Sequence, residues 1–451
     1  MSSTELAQAH PRYFGSVPIP KWLVYSYVVV NPFFVFSILF SRDFASFWII
    51  VTLFLFVFVE TIRKGGKVLF DRTVFYLFLM FAAYAIGTIV ILFQEPSFTW
   101  AGRTPLDRAI GIDIRLGYVL LAYYVFVYVL CEGDETVFRR LLQIQFIVGV
   151  LIGLFGILQF ISYLVFGSTA LIGIESTNEA FQTRGNFSMI GGERVFRSSS
   201  IFSEPSYFGF YLVPLLVKSV LSWVRGYVVF SRPIDLFILG TLSIALAANF
   251  SLTAFLSLAL VLVIYAARNL NQNPATAIWT VTIGALMGIF VLLSPFGDAV
   301  VTRLVKVFEL GDLSAIDRLV RAYSGLIVFL EHPLFGVGPG GFAFFYPKIG
   351  FLIDHKLMHS PLNIWFTILT DVGVVGIVPF MLFLGRVFNK GRHMLGKTWV
   401  AEVYFWSILS YLVLLTTVDF WFLDIFWFEL AVLTSISFAF QKGNNLNPHS
   451  T

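Results

Sequence analysis

Residues 140–166 read RLLQIQFIVGVLIGLFGILQFISYLVF. As a helix rising 1.5 Å per residue this stretch is about 40 Å long. That exceeds the roughly 30 Å of hydrocarbon in a bilayer. Its single charge, Arg140, stands at its first residue. Similar apolar runs lie on both sides, and we place spans near residues 21–39, 44–62, 73–93, 113–131, 140–166, 205–224, 233–249, 251–268, 276–295, 360–386, 399–417 and 420–440. The expected fold is an all-α polytopic membrane protein of about 12 transmembrane helices. Residues 1–451 then form a single multi-pass domain.

The composition agrees. The 451 residues are 58% hydrophobic and only 12% charged, whereas a soluble surface needs roughly 25% charged residues. The net charge of +4 is small and its basic residues sit mostly in loops, which argues against nucleic-acid binding. Cys131 is the only cysteine, so neither an intrachain disulfide nor a thiolate metal cluster is expected. Residues 1–20 are polar with three prolines and do not read as a cleavable signal peptide.

Short-loop cations set the orientation. Arg63, Lys64, Lys67 and Arg72, then Arg139 and Arg140, then Arg225 and Arg232, then Arg386, Lys390, Arg392 and Lys397 fall on one side if both termini are cytoplasmic. The positive-inside rule makes that side the cytoplasm. Three longer segments, 94–112, 167–204 and 296–359, lie opposite. The last is a large extracytoplasmic loop between the ninth and tenth spans, expected to contain short helices. From Asp317 to Glu331 it has helical periodicity, with Leu319, Leu326 and Phe329 among its apolar positions. An amphipathic helix lying on the outer surface or capping a cavity is expected there.

Three constellations on that side could carry chemistry. The first is Arg194-Val-Phe-Arg197-Ser-Ser-Ser-Ile-Phe-Ser-Glu204-Pro205-Ser206. Glu204 and Pro205 suit a helix start, and the plain reading leaves the arginines as solvated loop charges. The functional reading has Arg197 bind an anionic lipid headgroup, because a guanidinium fork matches phosphate oxygens and stays charged. The second is Asp317-Arg318-Leu-Val-Arg321, followed by His332-Pro-Leu-Phe-Gly336-Val-Gly338-Pro-Gly340-Gly341-Phe342. It lacks the Lys-Ser/Thr ending of a P-loop, so the glycines read as a tight, close-packed turn with positive φ. Arg318 and Arg321 are three residues apart on one helical face and can meet one polyanion. The third is His355-Lys-Leu-Met-His359-Ser-Pro-Leu-Asn363, with Asp371 and Gly373 further along. Pro361 disfavours helix just before it, and no H-E-x-x-H glutamate is present, which argues against a metal pair. A histidine at the mouth of a span suits a general base near neutral pH, or is an interfacial residue without a role.

The stretches RSSSIFSEPSYFGFY from Arg197, DRLVRAYSGLIVFLEHPLFGVGPGGF from Asp317 and HSPLNIWFTILTDVGVVG from His359, taken in this order, resemble the O-antigen ligase / O-antigen polymerase family of bacterial envelope glycan enzymes. The resemblance covers roughly Arg194 to Gly376. It implies a bacterial inner-membrane glycosyltransferase, free of metal and cofactor. The donor would be an undecaprenyl-pyrophosphate-linked oligosaccharide, and partners would include membrane lipid and a chain-length regulator and flippase of the same pathway. Carried over, Arg197 and Arg318 match the pyrophosphate-binding arginines, with Arg321 and Arg194 as neighbours. His359 matches the base, with Glu204 orienting an arginine or the acceptor. In the family a His-Asn pair commonly occupies the positions of Leu362-Asn363, and His359 stands one helical turn earlier.

Polymerisation of repeat units of an O-antigen or exopolysaccharide is the expected function. Ligation of a finished glycan to a lipid or protein acceptor is the alternative, and a polysaccharide transporter or lipid-glycan flippase is the rival from another class. Transporters place ionisable groups near the bilayer midplane. The spans read as nearly free of charge there, which favours surface chemistry.

Overall fold

A computed structural model of the chain describes residues 21–33, 45–63, 71–94, 102, 104–167, 187–190, 193–202, 204–293, 297–309, 313–349, 360–419 and 423–441. The helices are α1 (Lys21–Val30), α2 (Ala45–Arg63), α3 (Arg72–Gln94), α4 (Pro105–Leu130), α5 (Glu135–Phe166), α6 (Pro205–Arg225), α7 (Arg232–Asn249), α8 (Leu252–Asn269), α9 (Pro274–Leu292), α10 (Gly297–Phe308), α11 (Leu313–Glu331), α12 (Phe342–Ile349), α13 (Ile364–Met394), α14 (Trp399–Leu414) and α15 (Asp424–Gln441). Each of the twelve expected spans contains a helix. Nine among the described residues, α2 to α9 and α13, are long and apolar enough to cross a membrane.

Local chemistry explains where the boundaries differ from the expected ones. α4 begins at Pro105 rather than 113, because Thr104 caps the Asp107 N–H while Asp107 bonds back to the Thr104 N–H. α5 begins at Glu135, with Asp134 accepting from the Val137 N–H, and ends on Gly167 at φ 60°. The 167–204 segment adds what a period of 3.6 does not reveal, a hairpin of β1 (Phe187–Ile190) and β2 (Glu193–Phe196). Phe196 of β2 packs on Tyr163 of α5 at 4.6 Å between ring centroids.

α6 is the buried axis of the bundle, with α5, α7, α8 and α14 packed on it. Small residues let α5 come close: a Cβ on Gly149 would stand 2.6 Å from Leu215, and one on Gly156 2.7 Å from Phe208. Outward-facing apolar side chains such as Phe58, Leu151, Val263 and Leu286 are exposed, as lipid contact requires. The cations of the short loops gather at one end of the bundle. There Arg139 donates to the carbonyls of Val228 and Val229, Lys390 pairs with Asp71, and Arg225 pairs with Glu402 at 2.8 Å.

One buried ion pair stands out against the expectation that the spans are nearly free of charge. Lys218 of α6 and Glu429 of α15 form an ion pair inside the bundle, with side chains 0% and 2% exposed. Lys218 also donates to Gln145 at 2.8 Å and stacks over the Tyr404 ring, and Gln145 donates to Glu429 at 2.9 Å. A hydropathy window averages two charges into an apolar run and cannot see that they meet. Satisfied by each other, they remain compatible with burial.

Candidate functional site

At the end opposite the basic rim, the segment that follows β2 dips into the bundle. The Ser198 hydroxyl donates to the Gly156 carbonyl at 2.8 Å, and the Ser200 hydroxyl donates to the Ile152 carbonyl at 2.7 Å. Gln159 donates to the Ser200 carbonyl at 2.7 Å. Asn249 at the end of α7 donates to the carbonyls of Ser198 (3.0 Å) and Pro205 (2.7 Å). The run of serines thus fastens the chain between α5 and α7, with backbone groups paired by side chains instead of a ladder. Arg197, half-buried, stands at the rim of this fastened stretch. Glu204 occupies the N-cap position of α6 yet makes no side-chain cap bond there. It accepts from the Ser206 hydroxyl at 3.0 Å instead. Replacing Asn249 with alanine strands two buried carbonyls, and the expected loss is about 2 kcal/mol. A thermal unfolding scan in detergent, together with activity, measures it; an unchanged midpoint would rule out the fastening role.

The glycine-rich turn docks into a break in α13. Gly336, Gly338 and Gly340 all have positive φ, as expected, and Gly373 interrupts α13 at φ 59°, ψ −154°. The amide groups that the break frees are taken up by the turn: the N–H groups of Val374 and Val375 donate to the carbonyls of Pro333 (2.9 Å) and Leu334 (3.2 Å), and the Val337 N–H donates to the Thr370 carbonyl at 2.8 Å. Non-helical backbone inside a span persists only when protein satisfies it in this way. Asp371, buried just before the break, accepts the Gly340 N–H at 2.9 Å.

α11 is the expected amphipathic helix, starting at Leu313 rather than 317. Its Arg321 is engaged by Asp317, the Nε lying 2.9 Å from both carboxylate oxygens, while its Nη1 is buried without a hydrogen-bond partner. Arg318, one turn from the helix start, is half-buried. Gly325, four residues after Arg321, lies against Pro361 and Phe366, so α11 sits on the entry to α13. The histidines at 355 and 359 immediately precede that entry and lie outside the described residues. Arg194 pairs with Met189 in the hairpin.

α4 brings further residues that the sequence reading missed. Arg108 lies against the turn, its Nε 2.7 Å from where a Gly340 Cβ would stand. Asp371 is within electrostatic reach of Arg108, Asp113 and Asp419. Asp113 accepts from Thr88 of α3 at 2.6 Å. Arg115, exposed on α4, is within electrostatic reach of Tyr207, as are Glu204 and Asp419. The available signal is spacing: Arg108 and Arg115 are seven apart, hence on one face, but a span that starts at 113 leaves Arg108 in a loop. Among the described residues no group of three His, Cys, Asp or Glu side chains could hold a metal ion.

Residues 237–381 match a family model described as O-antigen ligase. The match, about a third of the chain, takes in α11, the glycine turn and the break at Gly373, but neither α4 nor the serine-fastened segment. No curated protein matches the chain.

Proposed function

We propose that the chain, whose residues 237–381 match a family model described as O-antigen ligase, polymerises glycan repeat units carried on undecaprenyl pyrophosphate, at the outer face of the bacterial inner membrane. The observation that carries this reading is the docking of the glycine turn into the α13 break. It fixes α11, with Arg318 and Arg321, over the entry that His359 precedes, opposite the basic rim.

In this reading pyrophosphate leaves the anomeric carbon of the donor sugar while the acceptor hydroxyl attacks from the other face, inverting the centre. Arg197, Arg318 and the free end of Arg321 neutralise the charge growing on the leaving group, with Arg194 at the edge. His359 takes the proton from the attacking hydroxyl, and Glu204 orients the acceptor. α11 covers the donor and limits access of water, and apolar grooves between spans hold the polyprenyl tail. Replacing His359 with alanine at normal membrane level is expected to abolish product chains, as gel electrophoresis of extracted glycan would report. Unchanged chain length and yield would remove His359 from the reaction. Purified protein given lipid-linked repeat units yields a ladder if it polymerises and a single transfer if it ligates.

The buried Lys218–Glu429 pair favours a second reading, a lipid-glycan flippase, since ionisable groups within spans often mark transport pathways. Transfer by the purified protein in detergent, where no gradient or second compartment exists, separates the two.

A further inference from the structure

The glycine turn meets the spans well below their ends. On α13 its partners are Val374 and Val375, whose N–H groups donate to the carbonyls of Pro333 and Leu334. The next charged residue along α13 is Arg386, 11 residues after Val375. At 1.5 Å per residue that is about 17 Å. On α3 the turn lies against Gly87, where an added Cβ would stand 3.2 Å from Pro339. Gly87 comes 15 residues after Arg72, or about 22 Å along the helix. Arg72 and Arg386 belong to the short-loop cations, which mark one boundary of a hydrocarbon layer about 30 Å thick. Both docking points fall inside that layer. α11 leads down to them: Gly325 lies against Pro361 and Phe366, where α13 begins, and Leu334 is already level with Val375. The descending end carries exposed apolar side chains, Leu330 at 65%, Leu334 at 61% and Phe335 beside them. Leu319 and Tyr323, on the same face of α11 as Leu330, are exposed too. The band continues along α13 through Val374, Val375, Val378 and Met381, the face that this span turns to lipid.

We infer that residues 330–341 form a re-entrant segment that enters the leaflet opposite the basic rim, with Leu330, Leu334 and Phe335 against lipid acyl chains. Hydrocarbon is the occupant that suits this band, which is apolar, lies at membrane depth and continues a face already turned to lipid. The backbone meets the same constraint. Non-helical chain at such depth is tolerated only where protein surrounds it. From Gly336 to Phe345 the chain is buried, and the Val337 N–H and the carbonyls of Pro333 and Leu334 bond to α13. Glu331 is exposed as well, about 100° round α11 from Leu330, which puts the edge of the lipid-facing side between them. α11 thus runs inclined into the leaflet beside the first turns of α13, where the sequence reading has it lying on the outer surface or capping a cavity. Hydropathy does not reveal the segment, because a glycine-rich turn of this length makes no apolar run long enough to span.

The test places one bimane label at a time on the full chain in lipid nanodiscs, in a Cys131→Ser background that leaves a single thiol. Labels go to Leu330→Cys and Leu334→Cys. Leu286→Cys on α9 and Gln272→Cys in the short loop between α8 and α9, both exposed, serve as references for lipid and for water. Fluorescence is read with lipids carrying a nitroxide midway along the acyl chain and, separately, with iodide in the buffer. At positions 330 and 334 the nitroxide lipid is expected to remove as much fluorescence as at 286, and iodide several-fold less than at 272. Iodide quenching equal to that at 272 would put the segment in a water-filled mouth and overturn the assignment. Protection from both quenchers would overturn it too, since another part of the chain or a second copy would then cover the band. Opposite results at 330 and 334 would break the continuous contact. If Leu330→Cys fails to assemble into discs, Tyr323→Cys on the same face takes its place and is judged by the same two readings.

Discussion

Replacing Lys218 with methionine is expected to cost about 3–5 kcal/mol, because it leaves the Glu429 carboxylate buried without its cation. The side chains are 0% and 2% exposed, so water cannot take over the role of Lys218. Gln145 would still donate to one Glu429 oxygen, but the other oxygen has no hydrogen-bond partner even in the intact protein. The pair joins α6 to α15, with Gln145 bringing in α5 and Tyr404 bringing in α14. Its rupture should therefore loosen four helices together, seen as a much lower melting temperature in detergent and reduced membrane levels. The double replacement Lys218→Met with Glu429→Gln removes both charges and is expected to recover most of the loss, since a buried pair contributes little net stability over an apolar substitute. If the single replacement melts as the parent does, the pair does not hold the bundle. If the double variant folds normally yet transfers no glycan, the pair has a role in the reaction beyond packing.

Gly373→Ala is the second large effect. The conformation at φ 59°, ψ −154° belongs to a region that is essentially restricted to glycine, and forcing another residue into it costs about 1–3 kcal/mol. The added Cβ would also stand 2.3 Å from the Leu334 carbonyl oxygen and 2.6 Å from that of Pro333. Those are the atoms that accept from Val375 and Val374, so the turn must move away and its hydrogen bonds go with it. A total of at least about 3 kcal/mol follows. Because the turn carries Gly340 to Asp371 and Arg108, transfer activity should fall further than the melting temperature alone predicts. Gly396→Ala is the matched control: φ is also positive, at 77°, but nothing lies within 4 Å of the added atom. It should show strain alone, about 1 kcal/mol, with activity retained. Equal effects at the two positions would mean that docking into the α13 break contributes nothing.

The helices, the basic rim and the glycine turn are legible in residue order alone. An apolar run in hydrocarbon has one local solution, because every amide must be satisfied within its own segment. Arg63 to Lys397 sort by side through a rule that needs only loop order. Positive φ at Gly336, Gly338 and Gly340 follows from the crowding of glycines in a short turn. Each of these depends on neighbours in the chain, and the capping box of Thr104 and Asp107 sets the start of α4 by the same local logic.

The rest depends on partners far away in sequence. Nothing near Lys218 announces Glu429, which lies 211 residues away, and nothing near Gly340 announces Asp371 or Arg108. A span read by hydropathy has no direction around its axis until other helices pack on it. Only packing aims Gly325 at Pro361 so that α11 sits on the entry to α13. Apolar helices, a cationic rim and a glycine turn thus follow from residue order, since hydrocarbon and backbone sterics act residue by residue. Which charges meet inside the bundle, and which distant segments dock on one another, follows only from the assembled fold, since packing free energy between helices sets both.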